Sequence, residues 1–212
     1  MKLKIGIGLQ VLVLVGCIIG FALPWYQIKR SSYEIGLSNI DEAVTYFRWK
    51  DVQCVVGGEE ESKESYSDAS SCPLFLTTKP IYVTNEFDDV AKILNTCLSF
   101  LVIGAALALG TALLQLILLL SPKLCRSIIW KILCIGCSMA TIAILFVSFF
   151  TLFGMPKALD DDIVFCLDDA WCDKIYGSSD GYSWMPGGGW WATLAACFTA
   201  LCAGLFTLVS SR

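Results

Sequence analysis

Four cysteines and a dense run of aspartates are the residues in this chain best suited to chemistry. Cys54, Cys72, Cys166 and Cys172 fall in polar stretches, whereas the other seven of the eleven cysteines lie in or beside long apolar runs. In an oxidising compartment an even set of thiols forms disulfides, here two. Pairing within each stretch, Cys54 with Cys72 and Cys166 with Cys172, is the simplest of three connectivities, and bridges between the stretches stay open. Asp160, Asp161, Asp162, Asp168, Asp169 and Asp173 form the densest acidic cluster. Carboxylates in a disulfide-held loop can bind calcium, but these lack EF-hand spacing and read as a solvated acidic loop. Its field would concentrate cations and select basic partners. Catalysis has no comparable foothold. The chain has no histidine, the commonest general base and metal ligand. It also lacks a nucleophile elbow, a phosphate loop or a paired metal motif. The expectation is no enzyme, no cofactor and no metal.

The elements that must position these residues follow from the charge partition. All nineteen carboxylates fall between Glu34 and Asp180, in two stretches outside four long apolar runs. The remaining polar pieces are purely basic: Lys2 and Lys4 before the first run, Lys123, Arg126 and Lys131 around the connection of the second and third, and Arg212 at the end. Cytoplasmic segments keep Lys and Arg, so the termini read as cytoplasmic and the two acidic loops as extracellular. At 56% apolar over 212 residues, the chain carries more apolar surface than a soluble domain of its size can hide. A spanning helix needs about 20 mostly apolar residues. Ile5 to Leu23, Ile93 to Leu120, Ile128 to Phe153 and Trp190 to Val209 meet that length. The first is too long for a cleavable signal peptide, and no small-residue cleavage pattern follows it.

The plan is one four-span membrane domain over residues 1–212, with outer loops at 24–92 and 154–189. The fold class is an all-α membrane protein, a four-helix transmembrane bundle with a small disulfide-stapled, β-rich extracellular domain. Within the first loop, Ala43 to Arg48, Val52 to Val56 and Leu74 to Thr78 read as short strands, and Gly57 to Ser71 as a mobile tip. Asn85 to Lys92 reads as an outer extension of the second helix. In the fourth span Ala192, Ala196, Ala200 and Gly204 recur at i+4, and the first span offers Gly16 and Gly20 at the same spacing. Small residues let backbones approach closely in lipid, here inside the bundle in preference to a dimer face. Gln10 and Gln115 stand at similar depth and are expected to hydrogen-bond each other. No charge lies mid-membrane, which argues against a proton relay or voltage sensor. Cys125, beside Lys123 and Arg126, occupies a position suited to palmitoylation. The acidic exterior repels nucleic acid, and the basic inner face suits anionic lipid.

Pro24-Trp25 after the first span, then Tyr46-Phe47-Arg48-Trp49, Cys54 and Cys72, resemble the claudin and peripheral-myelin-protein superfamily of four-span proteins. By position Trp25 matches that group's first tryptophan, Trp49 the last of its loop motif, and Cys54 with Cys72 its bridging pair. Tyr46 stands where a tryptophan belongs, and Phe47-Arg48 replace Gly-Leu. Amastins are another branch with a similar plan, whereas the tetraspanin Cys-Cys-Gly is missing. The resemblance implies that Trp49 is a buried ring covering the disulfide. It also implies lateral or cell-to-cell association through the outer loops, in adhesion, barrier formation or membrane organisation, at the plasma membrane. Partners would be lipids and a second copy or another membrane protein. A pore with an acidic rim is the main rival reading, and an auxiliary subunit of a larger complex the third.

Overall fold

The computed structural model describes residues 2–35, 38–67, 87–121, 128–162, 172–179 and 181–210. Among the described residues, four helices are long and apolar enough to cross a membrane. They are α1 (Lys2–Ala22), α2 (Asp88–Leu120), α3 (Ile128–Thr151) and α5 (Gly188–Ser210). The chain divides into two compact units, one of Met1–Ala22, Cys97–Phe150 and Trp191–Arg212, the other of Leu23–Thr96 and Thr151–Trp190.

The first unit has the composition of a four-helix membrane bundle. Small and aliphatic side chains fill its interior, among them Val13, Leu101, Ala108, Leu145, Ala196, Ala200 and Ala203. Large apolar side chains also stand outward, with Ile18 64% exposed and Ile129 72% exposed. Apolar surface on that scale is costly in water and at ease in hydrocarbon. Backbone approach is close where a side chain is missing: a Cβ on Gly16 would stand 3.0 Å from that of Ala196. The Ser148 hydroxyl donates to the Cys97 carbonyl at 2.7 Å, so a polar group at that depth is satisfied within the bundle. Gln10 and Gln115 do not bond each other. Both are fully buried, but the Gln115 amide instead donates to the Thr207 hydroxyl at 2.7 Å. Thr207, on the fourth span, is the nearer partner because sequence depth alone does not fix which helix faces Gln115.

The second unit is built on one antiparallel sheet. Its strands are β1 (Tyr26–Arg30), β4 (Ala43–Phe47), β5 (Asp51–Val56), β6 (Glu59–Ser65), β7 (Gly177–Ser179) and β8 (Tyr182–Pro186). They lie in the order β6-β5-β4-β1-β8-β7, and β2 (Tyr33–Ile35) with β3 (Ser38–Ile40) forms a separate hairpin. The expected strands at 43–48 and 52–56 correspond to β4 and β5. Leu74 to Thr78 lies outside the described residues.

Two features differ from the sequence expectation. Glu59–Ser65, placed in a mobile tip, is the edge strand β6, paired with β5. Gly57 and Gly58 both have positive φ, at 60° and 90°, the geometry of a two-residue hairpin turn. Backbone pairing therefore holds a segment with no apolar residue to bury. Met155–Asp162, read as loop, is a short helix, α4, joined to α3 by one 3-10 turn at Leu152–Gly154. Pro156 sits in its first turn, where a missing N–H costs nothing. The expected extension of α2 is present as helix from Asp88; Asn85 and Glu86 lie outside the described residues.

Candidate functional site

Alternation decides which face of the sheet can work. Along β1 and β4 every second residue is buried, which period-two geometry assigns to one face. Register then aligns the buried residues into rows across four strands. One row runs Cys54, Thr45, Ile28, Trp184, and the next Val52, Phe47, Tyr26, Pro186. The Phe47 ring meets Tyr26 at 6.2 Å and Phe87 edge-on at 6.1 Å, which anchors the start of α2 to this core. Burial pushes the Tyr26 phenol up, and that of Tyr66 well up, so both stay neutral. The Tyr66 hydroxyl donates to the Arg48 carbonyl.

The opposite face is open. Gln27 and Lys29 of β1, Glu42, Val44 and Tyr46 at β4, and Ser183 and Met185 of β8 line a shallow hollow of about 230 Å³. Lys29 and Glu42 form an ion pair at 2.8 Å with both side chains nearly half exposed, a geometry worth at most about 1 kcal/mol. Met185 is 45% exposed. The hollow thus mixes one ion pair, amide and hydroxyl groups, an aromatic and a thioether. That composition suits contact with another protein surface better than capture of a small polar substrate.

Both loops build this face, because β1 pairs with β4 on one side and β8 on the other. Their junction is fixed by the glycine run at the start of α5. The Gly187 N–H donates to the Trp25 carbonyl at 2.7 Å and the Gly189 N–H to that of Pro24 at 2.9 Å. A Cβ on Gly187 would run into the Pro24 carbonyl. Trp25 is 1% exposed, and its backbone N–H donates to the Phe47 carbonyl at 2.9 Å.

The other residues singled out from the sequence are distributed differently. Cys54 and Cys172 are both disulfide-bonded; Cys72 and Cys166 lie outside the described residues. The Thr45 hydroxyl stands 3.6 Å from the Cys54 sulfur. Trp49 is not a buried ring. It is half-buried in the bend between β4 and β5, with the Lys50 ammonium 4.8 Å over its ring. The chain turns there, so the side chain leaves the alternating pattern, and among the described residues the buried indoles of the sheet unit are Trp25, Trp184 and Trp190.

The aspartate run does not act as one solvated group. Asp160, Asp161 and Asp173 are exposed, but Asp162 is 5% exposed. Its carboxylate accepts the N–H groups of Asp89 and Val90 at the start of α2. Asp168 and Asp169 lie outside the described residues. Among the described residues no group of three or more His, Cys, Asp or Glu is placed to hold a metal ion.

Of the small-residue stripe, Gly16 faces Ala192 and Ala196, while Gly204 faces Ser138 and Ile142 on α3. Gly20, Ala196 and Ala200 are buried and Ala192 half-buried. Cys125 lies outside the described residues. Sequence reasoning missed Gly57-Gly58 as a hairpin signal, the period-two pattern of Tyr26–Arg30, and the pairing of β8 with β1. The first two were visible as a glycine pair and as alternation; the last is a contact between distant segments. No family model matches this chain, and no curated protein matches it.

Proposed function

We propose that the protein acts by association through its two large loops, laterally or from cell to cell, in adhesion, barrier formation or membrane organisation. The single observation that carries the reading is the open sheet face. Strands from both loops build it, its buried side is tightly anchored, and a preorganised surface loses little entropy on binding. The charge partition supports both termini in the cytoplasm and both loops outside, at the plasma membrane. Pairing of Cys54 with Cys72 and of Cys166 with Cys172 completes this reading, as does the resemblance to the claudin and peripheral-myelin-protein superfamily.

The test uses photo-crosslinking side chains placed at Tyr46 or Met185 in the full-length protein in intact cells. Adducts with a second copy or with another membrane protein are expected, and a crosslinker at the buried Phe47 position should give none. The reading fails if neither surface position gives adducts while the purified protein conducts ions with a selectivity set by Asp160 and Asp161.

A further inference from the structure

Three polar groups in the helical unit are buried with no hydrogen-bond partner among the described residues. They are both ends of the Gln10 amide, the Gln115 Oε1 and the Ser138 hydroxyl. Gln10, Gln115 and Ser138 are each fully buried. Helix arithmetic brings them to neighbouring levels. A Cβ on Gly6 would stand 3.5 Å from the Gln115 Oε1 and 3.7 Å from the Thr207 hydroxyl, while Gly16 abuts Ala196. Those two contacts make α1 and α5 antiparallel, and interpolation between them puts Gln10 level with Ala203. Gln10 is one turn beyond Gly6, about 6 Å along the axis. Ser138 reaches the same level, because a Cβ on the neighbouring Gly204 would stand 3.6 Å from its own. At this level α5 offers only a methyl group, of Ala203, and a hydrogen, of Gly204.

We propose that Gln10, Ser138 and the Gln115 Oε1 hold ordered water between the helices, as a hydrated polar layer that fixes the register of α1. The chemistry selects the ligand. The set offers amide and hydroxyl donors and carbonyl and hydroxyl acceptors, which water matches with two of each. It carries no charge, and no charged residue occurs in 5–28, 93–122, 132–156 or 181–211. An ion there would lack a counter-charge in a low-dielectric interior. A buried amide left without partners is costly, so hydration gives Gln10 a stabilising role that it otherwise lacks.

The full-length protein in lipid nanodiscs, with its glutamine side-chain amides labelled, tests this by water-to-amide magnetisation transfer. Wild-type Gln10 should show a contact with a long-lived water, and Ser138→Ala should weaken it. Gln10→Leu should lower the thermal unfolding midpoint by several degrees. No water contact at the Gln10 amide of the wild type, or a raised midpoint in Gln10→Leu, would overturn the proposal. If Gln10→Leu does not fold, the wild-type and Ser138→Ala signals decide.

Discussion

The Asp162 carboxylate accepts the Val90 N–H at 2.8 Å, although 72 positions separate the two residues. The Asp89 N–H adds contacts at 3.0 and 3.1 Å. The end of α4 thus caps the start of α2, whose first N–H groups have no partner within their own helix. Asp162→Ala should destabilise the protein by about 1–2 kcal/mol, the usual loss of an N-terminal cap. Asp162→Asn keeps an acceptor oxygen and should cost less. Thermal unfolding of the two variants in mild detergent distinguishes them, and equal losses would contradict the capping role.

The same residue gives a pH dependence. Burial raises the Asp162 carboxyl above its ordinary 3.8; the Val90 and Asp89 N–H groups oppose this, and the charges of Asp89 and Asp88 add to it. A folded-state value above the unfolded one means that the folded protein binds the proton more tightly. The stabilising contribution is complete below about 3.8 and is lost as the pH rises through the raised value. Wild-type protein should therefore lose more stability than Asp162→Asn between pH 4 and neutrality, measured as the difference of their melting midpoints across that range. Parallel curves would remove Asp162 as the titrating group.

Helix packing gives a sharper contrast. Gly16 lies against Ala196, whereas a Cβ on Gly8 would meet nothing within 4 Å. Gly16→Val should cost about 1–3 kcal/mol by overpacking, and Gly8→Val should be nearly neutral. Unfolding in detergent reads both, and a neutral Gly16→Val would mean that α1 and α5 do not pack through this pair.

The disulfides are testable by mass. Cys54→Ser should cost about 2–5 kcal/mol, the usual loss of a native bridge in a small domain. Peptides released without reduction should link Cys54 to Cys72 and Cys166 to Cys172. Links between the two loops would overturn that pairing.

The spanning helices were legible because each needs only local apolar composition over about 20 residues. Strands β4 and β5 were legible from alternation. Strand β6 was not, because Glu59–Ser65 buries nothing and is held by backbone pairing beyond a glycine turn. Strand β8 contains Trp184 and ends at Pro186 beside three glycines, so its local sequence reads as a loop. Its partner, β1, lies more than 150 residues away in sequence. Asp162 shows the limit most clearly. It is chemically identical to Asp160 and Asp161, and only the fold selects which of the three is buried against a helix start.

The central claim is that the sheet face shared by the two loops makes the contact. Its most direct test is the association of vesicles that carry the purified protein with both loops outward, comparing wild type with Met185→Arg. A charged side chain there faces the open hollow and leaves the buried rows untouched, so the melting midpoint should not change. The wild type should cluster vesicles, and Met185→Arg should weaken clustering at least tenfold. Clustering equal to wild type in a folded Met185→Arg protein would contradict the claim.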